Sequence, residues 1–426
     1  MAAPIRPTIE GRAEVAPSRS GGDARPDLTG GSGTSRTAPL SAEMVAPRTG
    51  TRWRGAYIHV PFCAHKCHYC DFYSFVDTES RQGAFVDRLE AEMRAAADGF
   101  MRDPLETVFF GGGTPTLLEP PLLERMMTSV RRILPLAPDA EITVEANPET
   151  VTAEVASILA GAGVRRVSMG CQSFEPRLLH ALERKHRPER VPQAIDALRS
   201  AGVPQVNLDL IFGIPGSSAD DWMRDLDAAL SLAPDHLSAY GLVYEPNTPL
   251  HARMRRGDVT PVDEELEARM YEHALDALAA AGFERYEISN WSRPGMACRH
   301  NLIYWTGGDW WALGPSGSAH GAGVRWKNVP RLGDWLASGP FSPVQDVERV
   351  DDDGRVGERF MLELRLASGI SHDEVERMLG LGTRGAARRA AIDRHESCGL
   401  LERVAGRIRL SRRGLLLANT VVADLV

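Results

Sequence analysis

From Trp53 onward the apolar residues of this chain alternate between two rhythms. Short apolar runs that end in small or polar residues read as strands at Ala56–Val60, Thr107–Phe110, Glu141–Ala146, Arg165–Gly170, Gln205–Phe212 and His236–Leu242. Between them lie AFVDRLEAEMRAAA, LLERMMTSVRRIL, AEVASILAGAG and DDWMRDLDAALSL, whose apolar residues recur at three- and four-residue steps and predict amphipathic helices. Strands alternating with helices predict an α/β fold with a parallel sheet of right-handed βα units. Six units instead of eight predict an open, partial (β/α)6 barrel. Its chemistry then belongs on the loops at the C-terminal ends of the strands.

The pattern changes after Leu242. A long helix is expected near Asp263–Ala281, followed by YEISNW and a Gly- and Trp-rich stretch to about Trp326. The segment Ser338–Asp353 is rich in Pro, Ser and acid and marks a boundary. Beyond it, short helices lead to LLERV-AG-RIRLS, a hairpin, and a last helix, the order of a winged-helix-like cap. Residues 1–50 hold six Pro, seven Gly, five Ser and five Thr but no Phe, Trp or Tyr, so a disordered arm is expected. Its Arg and Ser content suits a transit peptide, but five acidic residues oppose that. The chain thus divides into an arm (1–50), a barrel (51–290), a connecting region (291–345) and a C-terminal domain (346–426).

Composition narrows the classes. The 426 residues are 43% hydrophobic and 25% charged, the balance of a globular protein. A net charge of −8 opposes a general nucleic-acid binder, although ten arginines face three acids between Arg377 and Arg413. No leader heads the chain, and no apolar run approaches the ~20 residues of a membrane span. Six cysteines in such a length are no disulfide framework. A soluble, cytoplasmic protein is expected.

Three of those cysteines sit together. Cys63, Cys67 and Cys70 follow the first strand in VPFCAHKCHYCDFYSF, spaced C-x3-C-x2-C. Thiolates on one tight loop suit zinc or an iron–sulfur cluster. Zinc would take a fourth ligand from His59, His65 or His68, whereas three cysteines on a [4Fe-4S] cluster leave one iron open. The next strand ends carry GGGTPT (Gly111–Thr116), Glu145, Gln172 in MGCQSF, and Asp209 in NLDLIFGIPG. Each has an ordinary reading as a turn, a cap or a satisfied acid. Their joint placement at one mouth points to a ligand site.

At these residues the chain resembles the radical S-adenosylmethionine (SAM) superfamily, from roughly Arg54 to the C-terminus. The resemblance implies that Cys63, Cys67 and Cys70 hold a [4Fe-4S] cluster whose open iron chelates SAM. It also places Gly112, Gly113, Thr114, Glu145, Gln172, Arg184 and Asp209 around SAM, with Tyr57 and Tyr69 in contact. Two relatives share the pattern: the oxygen-independent coproporphyrinogen III oxidase and the HemW-type haem chaperone. The oxidase pattern has a further cysteine two residues after the third, but here Asp71 and Phe72 follow Cys70. The chaperone pattern H-N-x-x-Y-W reads HNLIYW at His300–Trp305. The resemblance therefore implies haem as a ligand, with His300 as candidate and Cys298 and His320 nearby. It further implies an acceptor protein for haem and an electron donor. In the rival enzymatic reading the substrate is coproporphyrinogen III. Cys171 and Cys398 read as small buried hydrophobes.

Overall fold

The computed structural model describes residues 37–40, 52–321 and 323–426. The arm expected over 1–50 thus lies outside the described residues except at 37–40, where Ala38 pairs antiparallel with Val344.

The six anticipated strands form the heart of the sheet. They are β1 (Trp53–Val60), β2 (Leu105–Gly112), β3 (Leu136–Ala146), β4 (Arg166–Gln172), β5 (Gln205–Phe212) and β6 (His236–Gly241). Each pairs in parallel with the next. Helices α1 (Gln82–Gly99), α2 (Pro120–Ile133), α3 (Ala153–Gly161), α4 (Pro176–Ala181), α5 (Arg190–Ala201) and α6 (Ala219–Ser231) fill the crossovers. Local signals start them: Thr152 caps α3, and Ser218 with Asp221 closes a capping box on α6.

Strand alternation separates two environments. Ile58, Phe110, Val144, Val167 and Leu208 join Leu89, Met126, Leu159 and Leu198 of the helices in one apolar core. The residues between them face the barrel interior and are polar: Thr107, Thr143, Ser168, Asn207 and Ser238 are all buried. Closed barrels are commonly filled by layers of branched aliphatics. This interior is not.

Beyond β6 come α7 (Pro249–Arg255), α8 (Glu264–Ala280) with Asp263 as its cap, and the antiparallel pair β7 (Glu284–Glu287) and β8 (Asn290–Ser292). The stretch anticipated as a connecting region is largely more sheet. After α9 (Arg299–Trp305), β9 (Asp309–Leu313) lies parallel to β1 on its free edge. There follow β10 (Ser318–Gly321), β11 (Val324–Asn328), α10 (Leu332–Leu336) and β12 (Val344–Arg349). The result is a twelve-stranded sheet in the order β12-β11-β10-β9-β1-β2-β3-β4-β5-β6-β8-β7. Trp53, Trp311 and Trp326 pack edge to face at 5.0–6.2 Å to hold the extension on β1. Short strands broken by glycine hid this alternation, and β12 lies within the segment expected to be a linker.

The C-terminal part runs α11 (Asp352–Glu363), β13 (Ile370–Ser371), α12 (His372–Leu379), α13 (Gly385–Ser397), β14 (Leu401–Val404), β15 (Arg407–Leu410), α14 (Arg412–Leu416) and α15 (Ala418–Ala423). β14 and β15 form the expected hairpin, turned by Ala405 and Gly406 at positive φ. Leu366 bridges to Glu287, and Ala367 N–H donates to Tyr286 O at 2.9 Å. The domain therefore docks on the β7 edge, away from the cysteine loop. Its arginines are engaged: Arg377, Arg388, Arg389, Arg394, Arg403, Arg409 and Arg412 each pair with a carboxylate. The basic run is an ion-paired face. Among the described residues no helix is long and apolar enough to cross a membrane.

Arg388 is buried and ties Asp353 to the Leu425 carbonyl. Arg388→Ala is expected to destabilise the C-terminal domain by about 3 kcal/mol, read as an earlier unfolding transition in calorimetry.

Candidate cofactor site at the strand ends

The cysteine loop is fastened at both ends. Cys63 N–H donates to Phe75 O at 2.9 Å, and Phe75 N–H returns to Pro61 O at 3.0 Å. Lys66 reaches the Phe72 carbonyl and, at 3.3 Å, that of Ser74. Leu250 N–H on α7 donates to His68 O at 2.9 Å. The glycine-rich turn clamps the other side: Gly113 N–H donates to Val60 O and Thr114 N–H to Phe62 O, both at 2.7 Å. A Cβ on Gly113 would stand 2.6 Å from Phe62 O, so only glycine allows this approach. Below the turn, His59 Nε2 donates to Tyr73 O at 2.7 Å and its Nδ1 accepts from Tyr57 Oη at 3.2 Å. Burial drives the ring down to about 4. With both nitrogens used, His59 has none left for a zinc ion.

The thiols face this clamp. Cys63 Sγ lies 3.8 Å from Thr114 Oγ1, and Arg184 Nη1 donates to Cys67 Sγ at 3.7 Å. Burial pushes the Cys70 thiol up to about 11, with Lys66 opposing and the neighbouring thiolates adding. It therefore keeps its proton until a metal displaces it. Among the described residues no three His, Cys, Asp or Glu side chains are drawn in around an ion. The sulfurs share one mouth without closing on a metal-sized space.

Arg184 is held at three points, since Nη2 also donates to Gly170 O at 2.8 Å and Nε to His186 Nδ1 at 3.1 Å. Burial lifts the Tyr69 phenol beside it well above its ordinary value. Glu145 Oε2 accepts from Gly112 N–H at 3.1 Å. Burial pushes its carboxyl up to about 7, Asp209 adding and the Gly112 bond opposing. Asp209 accepts from Ser168 Oγ at 3.1 Å and Asn207 Nδ2 at 2.8 Å. Gln172 adopts φ 61°, and its buried Oε1 has no partner. A strained residue with an orphaned acceptor at a strand end is the mark of a ligand site.

His300 sits elsewhere. Glu141 of β3 takes the Arg299 and His300 N–H groups at 3.1 and 3.2 Å and so caps α9. His300 Nδ1 meets Thr107 Oγ1 and Nε2 meets Tyr304 Oη, both at 2.7 Å. The ring is 1% exposed, stacks on Phe109 at 5.2 Å, and is lowered to about 3 by burial.

A Radical SAM superfamily model matches residues 57–229, and a HemN C-terminal domain model matches 350–417. A Mycobacterium tuberculosis protein named heme chaperone HemW is 41% identical over 92% of this chain and 99% of its own length. The Bacillus subtilis HemW is 34% identical over 86% and 98%. The chain belongs to the HemW family of radical SAM proteins. A solved structure of Escherichia coli coproporphyrinogen III oxidase, described as a radical SAM enzyme, has a TM-score of 0.77 at 20% identity. It covers 90% of this chain and 92% of its own, a likeness of fold alone.

Radical SAM family membership brings a [4Fe-4S] cluster and SAM, and the mouth fits both. Three soft sulfur ligands on one loop and the orphaned Gln172 oxygen are features such groups require. The structure brings Tyr57, Tyr69, Gly112, Gly113, Thr114, Glu145, Gln172, Arg184 and Asp209 to the cysteine end of the barrel. His300 lies apart from them, with its two ring nitrogens bonded to Thr107 and Tyr304. Cys298 is spent likewise, its Sγ donating to Glu141 at 3.6 Å. Cys171 is buried in the core as expected, but Cys398 is exposed. Supporting residues that sequence reasoning missed are Glu141, Ser168, His186 and Asn207, while His59, weighed there as a zinc ligand, props the turn instead. Polar residues alternating along the strands, as in Asn207 and Asp209, were the available signal.

Two outcomes are expected. His300→Ala should lower stability by about 2–4 kcal/mol through a cavity and two lost hydrogen bonds, with cluster iron and sulfide contents unchanged. Glu145 is raised, so its neutral form stabilises the unliganded fold below about 4.5, and that contribution is lost as pH rises through about 7. Cationic SAM favours the ionised form, so its affinity should tighten up to about tenfold per pH unit below that point. Calorimetric titration between pH 6 and 8 reads this slope, and Glu145→Gln should flatten it.

Proposed function

We propose that this chain is a haem chaperone that binds haem and passes it to an acceptor protein. The observation that carries this reading is the 41% identity, spanning nearly all of both chains, with a relative named heme chaperone. Phe72 in place of a further cysteine two residues after Cys70, and HNLIYW at His300–Trp305, agree with it.

In this reading the barrel (51–290) holds the cofactors and the C-terminal domain (346–426) supports its open edge. Cys63, Cys67 and Cys70 hold three irons of the cluster. Gly112, Gly113, Thr114, Glu145, Gln172, Arg184 and Asp209, with Tyr57 and Tyr69, surround SAM. When bound, the cluster would supply an iron site for SAM and one-electron chemistry. The chain's own residues position and shield: the Gly113 turn clamps the strand end that carries the cysteine loop, while Glu145 and Asp209 face the ligand's positive charge. An electron donor would supply the cluster's reducing equivalent, and the cytoplasm is the compartment this reading assigns.

The experiment sets haem titration beside an anaerobic assay of reconstituted protein with SAM and coproporphyrinogen III. A stable haem absorption band at one equivalent, with no protoporphyrinogen formed, is the expected outcome. Protoporphyrinogen made in multiple turnovers, with no haem band, would overturn it.

A further inference from the structure

We propose that His320, on the sheet extension beside β1, is the axial ligand that takes haem, on a face it shares with Trp310 and Arg325. This deepens the chaperone reading and rests on it. His320 Nδ1 stands 3.1 Å from the carbonyl oxygen of Gly308. A carbonyl only accepts, so Nδ1 carries the proton and Nε2 keeps the lone pair. No described residue bonds Nε2, and the side chain retains 20% exposure. Metal-ligating histidines characteristically anchor the other ring nitrogen on a backbone carbonyl or carboxylate. Asp309 Oδ1, 3.8 Å from Nδ1, reinforces that polarity. His300 has the opposite arrangement, with both nitrogens used and no exposure.

Register builds a surface around this ring. His320 pairs with Trp310 on β9 and with Arg325 on β11, so the three side chains form one row across three strands. Two strand spacings make that row about 10 Å wide, the scale of a planar macrocycle. The Trp310 ring lies 5.2 Å from His320 and 4.5 Å from Tyr304, giving the aromatic flank a porphyrin needs. Arg325 closes the row as a half-exposed cation held by Glu348 at 2.9 Å and Glu358 at 2.7 Å. A propionate exchanging with those carboxylates keeps the guanidinium paired. Lys327 follows on the same face.

The row is distinct from the cysteine mouth. Trp310 pairs with Gly55 near the start of β1, whereas the cysteine loop leaves from Val60 at its end. That offset along the strand is about 17 Å.

The test titrates haem into the full-length, cluster-loaded wild-type chain and its His320→Ala, His320→Gln and His300→Ala variants, reading absorption and spin state by electron paramagnetic resonance. His320→Ala and His320→Gln should lose the histidine-ligated signature and weaken binding at least tenfold. Added imidazole should restore the signature in His320→Ala, with melting temperature and cluster iron unchanged. His300→Ala should lower the melting temperature and keep the wild-type haem signature. A wild-type spectrum and affinity in both His320 variants would overturn the assignment, as would imidazole rescue of His300→Ala alone. A wild-type chain that takes up no haem overturns the chaperone reading itself, and is told apart because no variant comparison then exists.

Discussion

An open barrel has a seam, and here the interior behind the seam is polar. Six parallel strands cannot close on themselves, so the hydroxyls and amides of Thr107, Thr143, Ser168, Asn207 and Ser238 would meet bulk water without a seal. Helix α9 supplies it. Glu141 anchors its first turn, His300 ties it to β2, and Asn301 Nδ2 reaches Tyr286 Oη on β7 at 3.1 Å. One short helix thus fastens both flanks of the opening. It is far below the length at which a helix stands alone, so these tertiary bonds hold it. The α11 helix of the C-terminal domain lies against it, which explains why that domain docks on the β7 edge and not over the cysteine mouth.

The cysteine end obeys a different constraint. Arg184 is a partly buried guanidinium, and among the described residues no carboxylate bonds it; its partners are Cys67 Sγ, Gly170 O and His186. A cation drawn partly out of water without an anion loses solvation that its neutral partners repay only in part. Thiolates created by metal loading would supply the missing charge, so cluster assembly and the burial of Arg184 stabilise each other. A Cβ on Gly170 would stand 2.7 Å from Nη2, and the glycine in MGCQ is what admits the guanidinium.

How much of this the sequence discloses depends on range. The six central strands and the α8 helix with its Asp263 start follow from local periodicity and capping, and they match closely. The C-terminal hairpin is equally local, with Ala405 and Gly406 supplying the turn. The mouth was readable because its residues stand at strand ends, where topology gathers them whatever the details. β9 to β12 were not readable: each is four to six residues long, and β9, which joins the group to the barrel, pairs with β1 at the far end of the sequence. The surroundings of His300 were hidden for a related reason. Its chemistry suits iron, but whether a nitrogen is free depends on Thr107, almost two hundred positions away.

The two ends of β1 give a reason to keep haem and cluster apart. β1 carries the cysteine loop at its C-terminal end and the β9 extension along its free edge, so one strand serves both. His59 sits at that junction, under the Gly112 turn and against Gly314, where a Cβ would meet the His59 carbonyl at 2.5 Å. A displacement of the glycine-rich turn therefore presses on β1 and on the strap after β9 together. The packed strand thus stands between the mouth and the edge row. An oxidase must instead bring its porphyrinogen to the SAM radical, because hydrogen abstraction needs contact between the reacting atoms. With His320 as ligand, haem would lie about a strand's length from the cysteine loop, an arrangement that suits carriage and release more than radical chemistry on the macrocycle.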